Sequence, residues 1–226
     1  MITRCSSFVV TKQNDMPVYL SNKLLNSLTG HTEVFLNKAV SEWQMLPHHK
    51  FAGKPAPEKW SANQCLMHLN SYGRYYLPQI EKAINEAIKQ QQQPASQFKA
   101  GWLGNYFTEM MLTKTDGQPA KKMSSPKDHS PQTNEDSYPV IAEFIEQQEK
   151  LLTLLQKAKS IDLNKTRIPI SIAKFIKLKL GDTFLFLIAH THRHILQAER
   201  ALAQAGVLIT QIEPFDINEL QMELAD

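Results

Sequence analysis

His190, Thr191, His192, Arg193 and His194 place three of the chain's eight histidines within five residues. Neutral imidazoles so closely spaced can hold zinc or a similar divalent ion at about 2.0 to 2.1 Å and leave a fourth position for water or substrate. What they do together depends on the backbone beneath them. On a helix each residue advances by about 100°, so His190 and His194 stack on one face while His192 points about 160° away from His190. That arrangement is a two-histidine clamp that needs a third ligand from another element. On a strand all three imidazoles would share one face.

The flanking residues favour the helix. No proline or glycine interrupts residues 182–205, Gly206 stands where a helix would end on a left-handed residue, and Asp182 is placed as an N-cap. Good helix formers fill the run, among them Leu185, Leu187, Ala189, Leu196, Gln197 and Ala198. The strand alternative resembles the HxHxDH loop of metallo-β-lactamases. That loop needs an Asp where His194 stands and a His where Ile195 stands, and the chain has too few glycines and alternating strands for the sandwich around it.

His68 is the preferred third ligand. It lies seven residues after Ser61, inside a second helical stretch and in the apolar setting Cys65-Leu66-Met67-His68-Leu69. Ser61 and Gln64 read as a capping box, with Trp60 at the staple position. A lone histidine there is ordinarily a core residue, but a His-x3-His clamp on another helix gives it a partner. His31, His48, His49 and His129 fall near helix ends or in loops and are expected to face solvent. No Glu-x-x-His pair occurs on the candidate helices, which excludes a di-iron carboxylate site. Tyr72 and Gln64, one turn either side of His68, are within reach of a bound water. Arg193 and Gln197 are expected to bond to each other, and Cys65 to be a small core residue rather than a nucleophile.

Four helical stretches must position these groups: 18–46, broken by Gly30 and closed by Pro47; 61–90; 138–160; and 182–205. Between the second and third lies a long connection, 91–137, whose apolar residues Phe98, Trp102, Leu103, Tyr106, Phe107, Met110, Met111 and Leu112 predict a short helix or a cover for one end of the bundle. Residues 124–137 read as a surface strap. The expected architecture is all-α, a four-helix bundle over 18–206 with a long crossover between the second and third helices. A flexible segment, 1–17, precedes it and a tail, 207–226, follows.

A formal charge of +3 over 226 residues is too slight to announce a nucleic-acid or membrane partner. Positive charge is nevertheless concentrated at Lys165, Arg167, Lys174, Lys177 and Lys179, with no acid between Asp162 and Asp182. This reads as a solvated loop or short helix, with an electropositive rim for an anionic substrate as the sharper alternative. Cys5 and Cys65 are too few for a disulfide framework. No secretory signal or membrane-length apolar run is visible, so a cytoplasmic protein is expected.

Lys59-Trp60-Ser61 through His68-Leu69, and Gly181-Asp182 through His190-Thr191-His192-Arg193-His194-Ile195-Leu196-Gln197, resemble the two signature regions of the DinB-like superfamily, W-S-x-x-x-x-L-x-H-L and G-D followed by H-x-x-R-H-x-x-Q. Lys121-Lys122-Met123-Ser124-Ser125-Pro126 fits the crossover of its members. The resemblance implies a DinB/YfiT-like bundle with a three-histidine site at His68, His190 and His194 for a divalent ion, zinc or nickel. It further implies a low-molecular-weight-thiol S-transferase acting on an electrophilic substrate, less readily a hydrolase, and admits a homodimer. The alternative from a different class is a metal-stabilised binding or stress-response module without turnover.

Overall fold

The computed structural model describes residues 16–114, 117–121, 123–132 and 136–221. Most of the segment expected to be flexible, the end of the tail, and Cys5 therefore lie outside the described residues. A short strand β1 (Val18–Leu20) leads into α1 (Ser21–Lys38), which loosens into a π-turn at Ala39–Trp43 before the one-turn helix α2 (His48–Phe51). Gly30 does not break α1. Leu24, Leu25, Leu28, Phe35, Ala39 and Trp43 form its buried stripe, whereas Val34 faces solvent.

The second long helix, α3 (Ala62–Lys89), starts as its sequence dictates. Ser61 Oγ accepts from the Gln64 amide and Gln64 Oε1 accepts from the Ser61 amide, both at 3.2 Å. Gln64 Oε1 is therefore committed to the cap. After α3 come β2 (Gln97–Lys99), paired antiparallel with β1, and α4 (Trp102–Met111). The third and fourth bundle helices are α5 (Ser137–Ala158), capped by Asp136, and α6 (Leu180–Gln204). Between them stands an antiparallel hairpin, β3 (Arg167–Ile170) and β4 (Ala173–Lys179). The basic stretch is thus a strand ribbon rather than a loop or helix, because Ile168, Ile170 and Leu178 turn inward at alternate positions while Arg167, Lys177 and Lys179 take the opposite side.

Side-chain pairs give the directions of the bundle. Asn70 meets Val140, Arg74 meets Glu143 and Glu81 meets Lys150, so α3 and α5 run parallel. His68 meets His194, Tyr72 meets His190 and Tyr76 meets Phe186, so α3 and α6 are antiparallel. Phe35 meets His192 and Lys38 meets Glu199, so α1 is parallel to α6. Around the bundle the order is α1, α5, α3, α6, and in chain order the helices run up, down, down, up. Two parallel neighbours cannot be joined by a short turn, since a 28-residue helix spans about 42 Å. The connection between α3 and α5 must return the chain along the bundle, and α4 makes that return. It lies on α6, with Gly101 against Asp182 at one end and the Met110 carbonyl bonded to Arg193 at the other.

Asp182 is not the N-cap of α6. The helix begins at Leu180 without a side-chain cap, and the Asp182 carboxylate instead accepts from the Gly101 amide at 3.0 and 3.1 Å. Gly104 makes the close approach of α4 possible, because a Cβ there would sit 2.2 Å from Asp182 Cγ. Gly104→Ala is accordingly expected to destabilise the fold by up to about 2 kcal/mol, because a contact this short places the overpacking cost towards the upper part of its range of about 1 to 3, above the helix-propensity gain of about 1. A urea midpoint that does not fall would show that α4 can move away freely. At its other end α6 closes as expected: Gly206 has φ +73°, and the Gly206 and Val207 amides reach back to the Ala203 and Leu202 carbonyls. The chain beyond packs on the bundle through Phe215, Ile217 and Leu220, and Lys38 and His192 bond the Thr210 and Glu213 carbonyls.

Candidate metal centre

Antiparallel packing of α3 on α6 brings His68 opposite the His190–His194 clamp. All three are buried, and their ligand atoms lie within 4.8 Å of one another. His68 Nε2 and His190 Nε2 are 3.0 Å apart, and the ring centroids of His194 lie 4.6 Å from those of both partners. Two nitrogens on one tetrahedral ion at about 2.05 Å would be about 3.3 Å apart, so the spacing suits a shared cation with little adjustment.

The outer nitrogens fix which lone pairs face inward. His68 Nδ1 lies 2.7 Å from the His129 carbonyl, which can only accept, so Nδ1 carries the proton and Nε2 presents a lone pair. His194 Nδ1 is held in the same way by Gln197 Oε1 at 3.1 Å. Gln197 therefore serves His194 and not Arg193. His190 Nδ1 is buried without a hydrogen-bond partner among the described residues. Burial pulls the His68 pKa down to about 4 against the opposing pull of its bond to the His129 carbonyl. Burial first, then the neighbouring imidazoles and Arg193, hold His190 and His194 well below the usual range. All three are neutral at pH 7, as metal ligands must be. The donor set fits a divalent transition-metal ion: three neutral nitrogens, two of them already oriented by acceptors on their far side.

Aromatic rings wall the cluster. Phe186 stacks on His190 at 5.6 Å, and Tyr72 lies 4.4 Å from the same ring. Trp60 covers His194 at 5.8 Å and His68 at 5.0 Å, so the residue expected as a helix staple is turned onto the imidazoles. The cluster opens into a cavity of about 860 Å³, lined among others by Trp60, Tyr72, Met111, Ser125, Gln197 and Arg200. Lys59, Arg193 and Arg200 supply its positive charge, against Glu58. None of Lys165 to Lys179 lines it, so the basic ribbon is not the rim of this pocket.

His192, by contrast, points away, bonding the Glu213 carbonyl at 2.9 Å and facing Phe35 and Phe215. Arg193 donates to the Met110 and Lys121 carbonyls at 3.0 and 2.8 Å, which ties the crossover to α6 beside the pocket. His48 and His49 remain at the surface, while His31 is only half-exposed and lies edge-on to Phe215. His129 was expected to face solvent and does not. It is buried, its ring stacks on Tyr72 at 3.9 Å, its Nδ1 pairs with Ser71 Oγ at 2.9 Å, and its carbonyl orients His68. The stretch read as a surface strap is therefore part of the site. Cys65 is fully buried in the core and burial pushes its thiol up, which suits a packing residue. No described helix is long and apolar enough to cross a membrane.

The sequence pattern of the DinB superfamily matches residues 36–198, a span that includes all three clustered histidines. No curated protein sequence matches the chain. Among solved structures, YfiT from Bacillus subtilis, described as a probable metal-dependent hydrolase with an unusual four-helix bundle topology, aligns at 14% identity and a TM-score of 0.46, covering 90% of this chain and 94% of its own.

Proposed function

The chain belongs to the DinB superfamily, and from that premise we propose that His68, His190 and His194 hold one divalent ion, zinc or nickel, in an enzyme that activates a small thiol for transfer to an electrophile. One observation carries the reading: three neutral imidazoles converge at the base of a cavity large enough for a small-molecule pair. An ion bound there supplies Lewis acidity, which brings a coordinated thiol or water to its nucleophilic form near neutral pH. The chain's own residues do the rest. His129 and Gln197 hold the imidazole tautomers, and Trp60, Tyr72 and Phe186 keep bulk water from the ligands. Arg193 anchors the crossover beside the cavity, and Lys59 and Arg200 favour a thiol that carries carboxylates.

The test is to load the protein with Co²⁺ and titrate bacillithiol, mycothiol, glutathione and cysteine while following sulfur-to-metal charge-transfer absorption. Transfer to a generic electrophile is then compared between wild type and His190→Ala. The expected result is saturable absorption with at least one carboxylate-bearing thiol and a loss of transfer in the variant. No spectral change, with equal transfer rates, would leave a metal-stabilised binding module as the better description.

A further inference from the structure

The β3–β4 ribbon and the neighbouring α4 leave an apolar surface uncovered on elements that pack side by side. Phe175 is 87% exposed and Ile172 63% at the hairpin, and on α4 Trp102 is 71% and Tyr106 45% exposed, their rings stacked at 6.3 Å. Fraying of the hairpin does not account for this exposure. The Tyr75 hydroxyl donates to the Ile170 carbonyl and the Tyr76 hydroxyl accepts from the Ser171 amide, so the turn is clamped onto α3. Lys177, two residues from Phe175, shares its side of β4, while Lys174 is exposed on the opposite side near the tip, and neither makes an ion pair or hydrogen bond among the described residues. No acid lies between Asp162 and Asp182 to offset them.

Bulky apolar and aromatic side chains held out beside unpaired lysines match the two layers of an anionic bilayer surface. The rings suit the depth where headgroups meet acyl chains, and the cations suit the negative headgroups. An acidic protein would satisfy the lysines but would need a cavity for Phe175, and a second copy of this face would oppose lysine to lysine. We infer that this face docks peripherally on anionic phospholipid membranes. The absence of a membrane partner, expected from a net charge of +3, followed from the sum over the chain, whereas membrane attraction depends on charge within about a Debye length of the surface.

The full-length protein should be mixed with vesicles of phosphatidylcholine alone or with about 30% phosphatidylglycerol at low salt, followed by sedimentation and tryptophan emission. Trp43 is fully buried and Trp60 sits over the imidazoles, so a blue shift reports chiefly on Trp102. Binding to the anionic vesicles with a blue shift, weakening as salt rises, is expected. Lys174→Glu with Lys177→Glu should weaken binding by about tenfold or more, as should Phe175→Ser. These side chains are exposed, so circular dichroism should be unchanged, and metal content provides a second check that the variants are folded. No binding to anionic vesicles, or equal binding by the variants, would overturn the assignment. So would concentration-dependent self-association, abolished by Phe175→Ser in the absence of lipid, which would give the face to a second copy.

Discussion

Alanine at His68, His190 or His194 is expected to remove most of the bound divalent ion, whereas His192→Ala should leave it in place. The first three offer ligand nitrogens within 4.8 Å of one another, while His192 spends Nε2 on the Glu213 carbonyl on another face of α6. Losing one of three ligands costs more than disturbing an outer partner, which itself lowers affinity about 10- to 100-fold, so the affinity should fall by more than about 100-fold. Stability should follow. An ion at about 100 times its dissociation constant stabilises the fold by about 2.7 kcal/mol, so chelation should lower the wild-type melting temperature and leave the three ligand variants nearly unmoved. Metal content per chain and melting with and without chelator check this together. Equal metal loss in all four variants would sink the ligand assignment. His192→Ala should lower stability by loosening the tail, but that loss should persist under chelation.

The legible parts of this fold are those in which a local signal has no competitor. A His-x3-His pair in an uninterrupted helical run has one geometry, and Ser61 with Gln64 can close only one box. The Gly206 terminus is equally local. Asp182 was misplaced as a cap because the same carboxylate that caps a helix also accepts an amide from a distant segment, and only the approach of α4 through Gly101 and Gly104 decides between them. The hairpin had a signal in the alternation from Arg167 to Ile170, but its lysines read as solvated charge. His129 had none. An imidazole between polar residues becomes an organising group only because the up-down-down-up order brings the end of the crossover back over His68. Likewise, the placement of the basic ribbon away from the pocket follows from long-range packing that no spacing encodes.

Acidification from pH 7 towards 4.5 is expected to destabilise the protein steeply, and bound metal should be lost with the fold rather than before it. An unperturbed imidazole with a pKa near 6.5 predicts metal release below that value. Burial changes this: His68 is pulled down to about 4, and His190, His194 and His192 are lowered as well. Because these folded-state values lie below the unfolded one, each group contributes stability that is fully present above about pH 6.5 and is lost as pH falls towards its folded value. For His68 alone this amounts to about 3 kcal/mol over its range. Two carboxyls act in the opposite direction. Burial raises Asp182 to about 6 and also raises Glu199, so their contribution is greatest at low pH and is lost as pH rises through the folded values. The imidazoles whose charging burial opposes, His31 and His129 among them, outnumber the two carboxyls, so the unfolded chain binds more protons than the folded one near pH 5. Stability should therefore fall as the pH falls there, and the His68 contribution alone is a large share of the 5 to 15 kcal/mol typical of a domain. Urea midpoints at half-unit steps from pH 7 to 4.5, with metal content followed in parallel, measure both effects. A flat midpoint across that range would mean that the imidazoles are not held neutral in the fold, and metal loss well ahead of unfolding would mean that the ligands protonate in place.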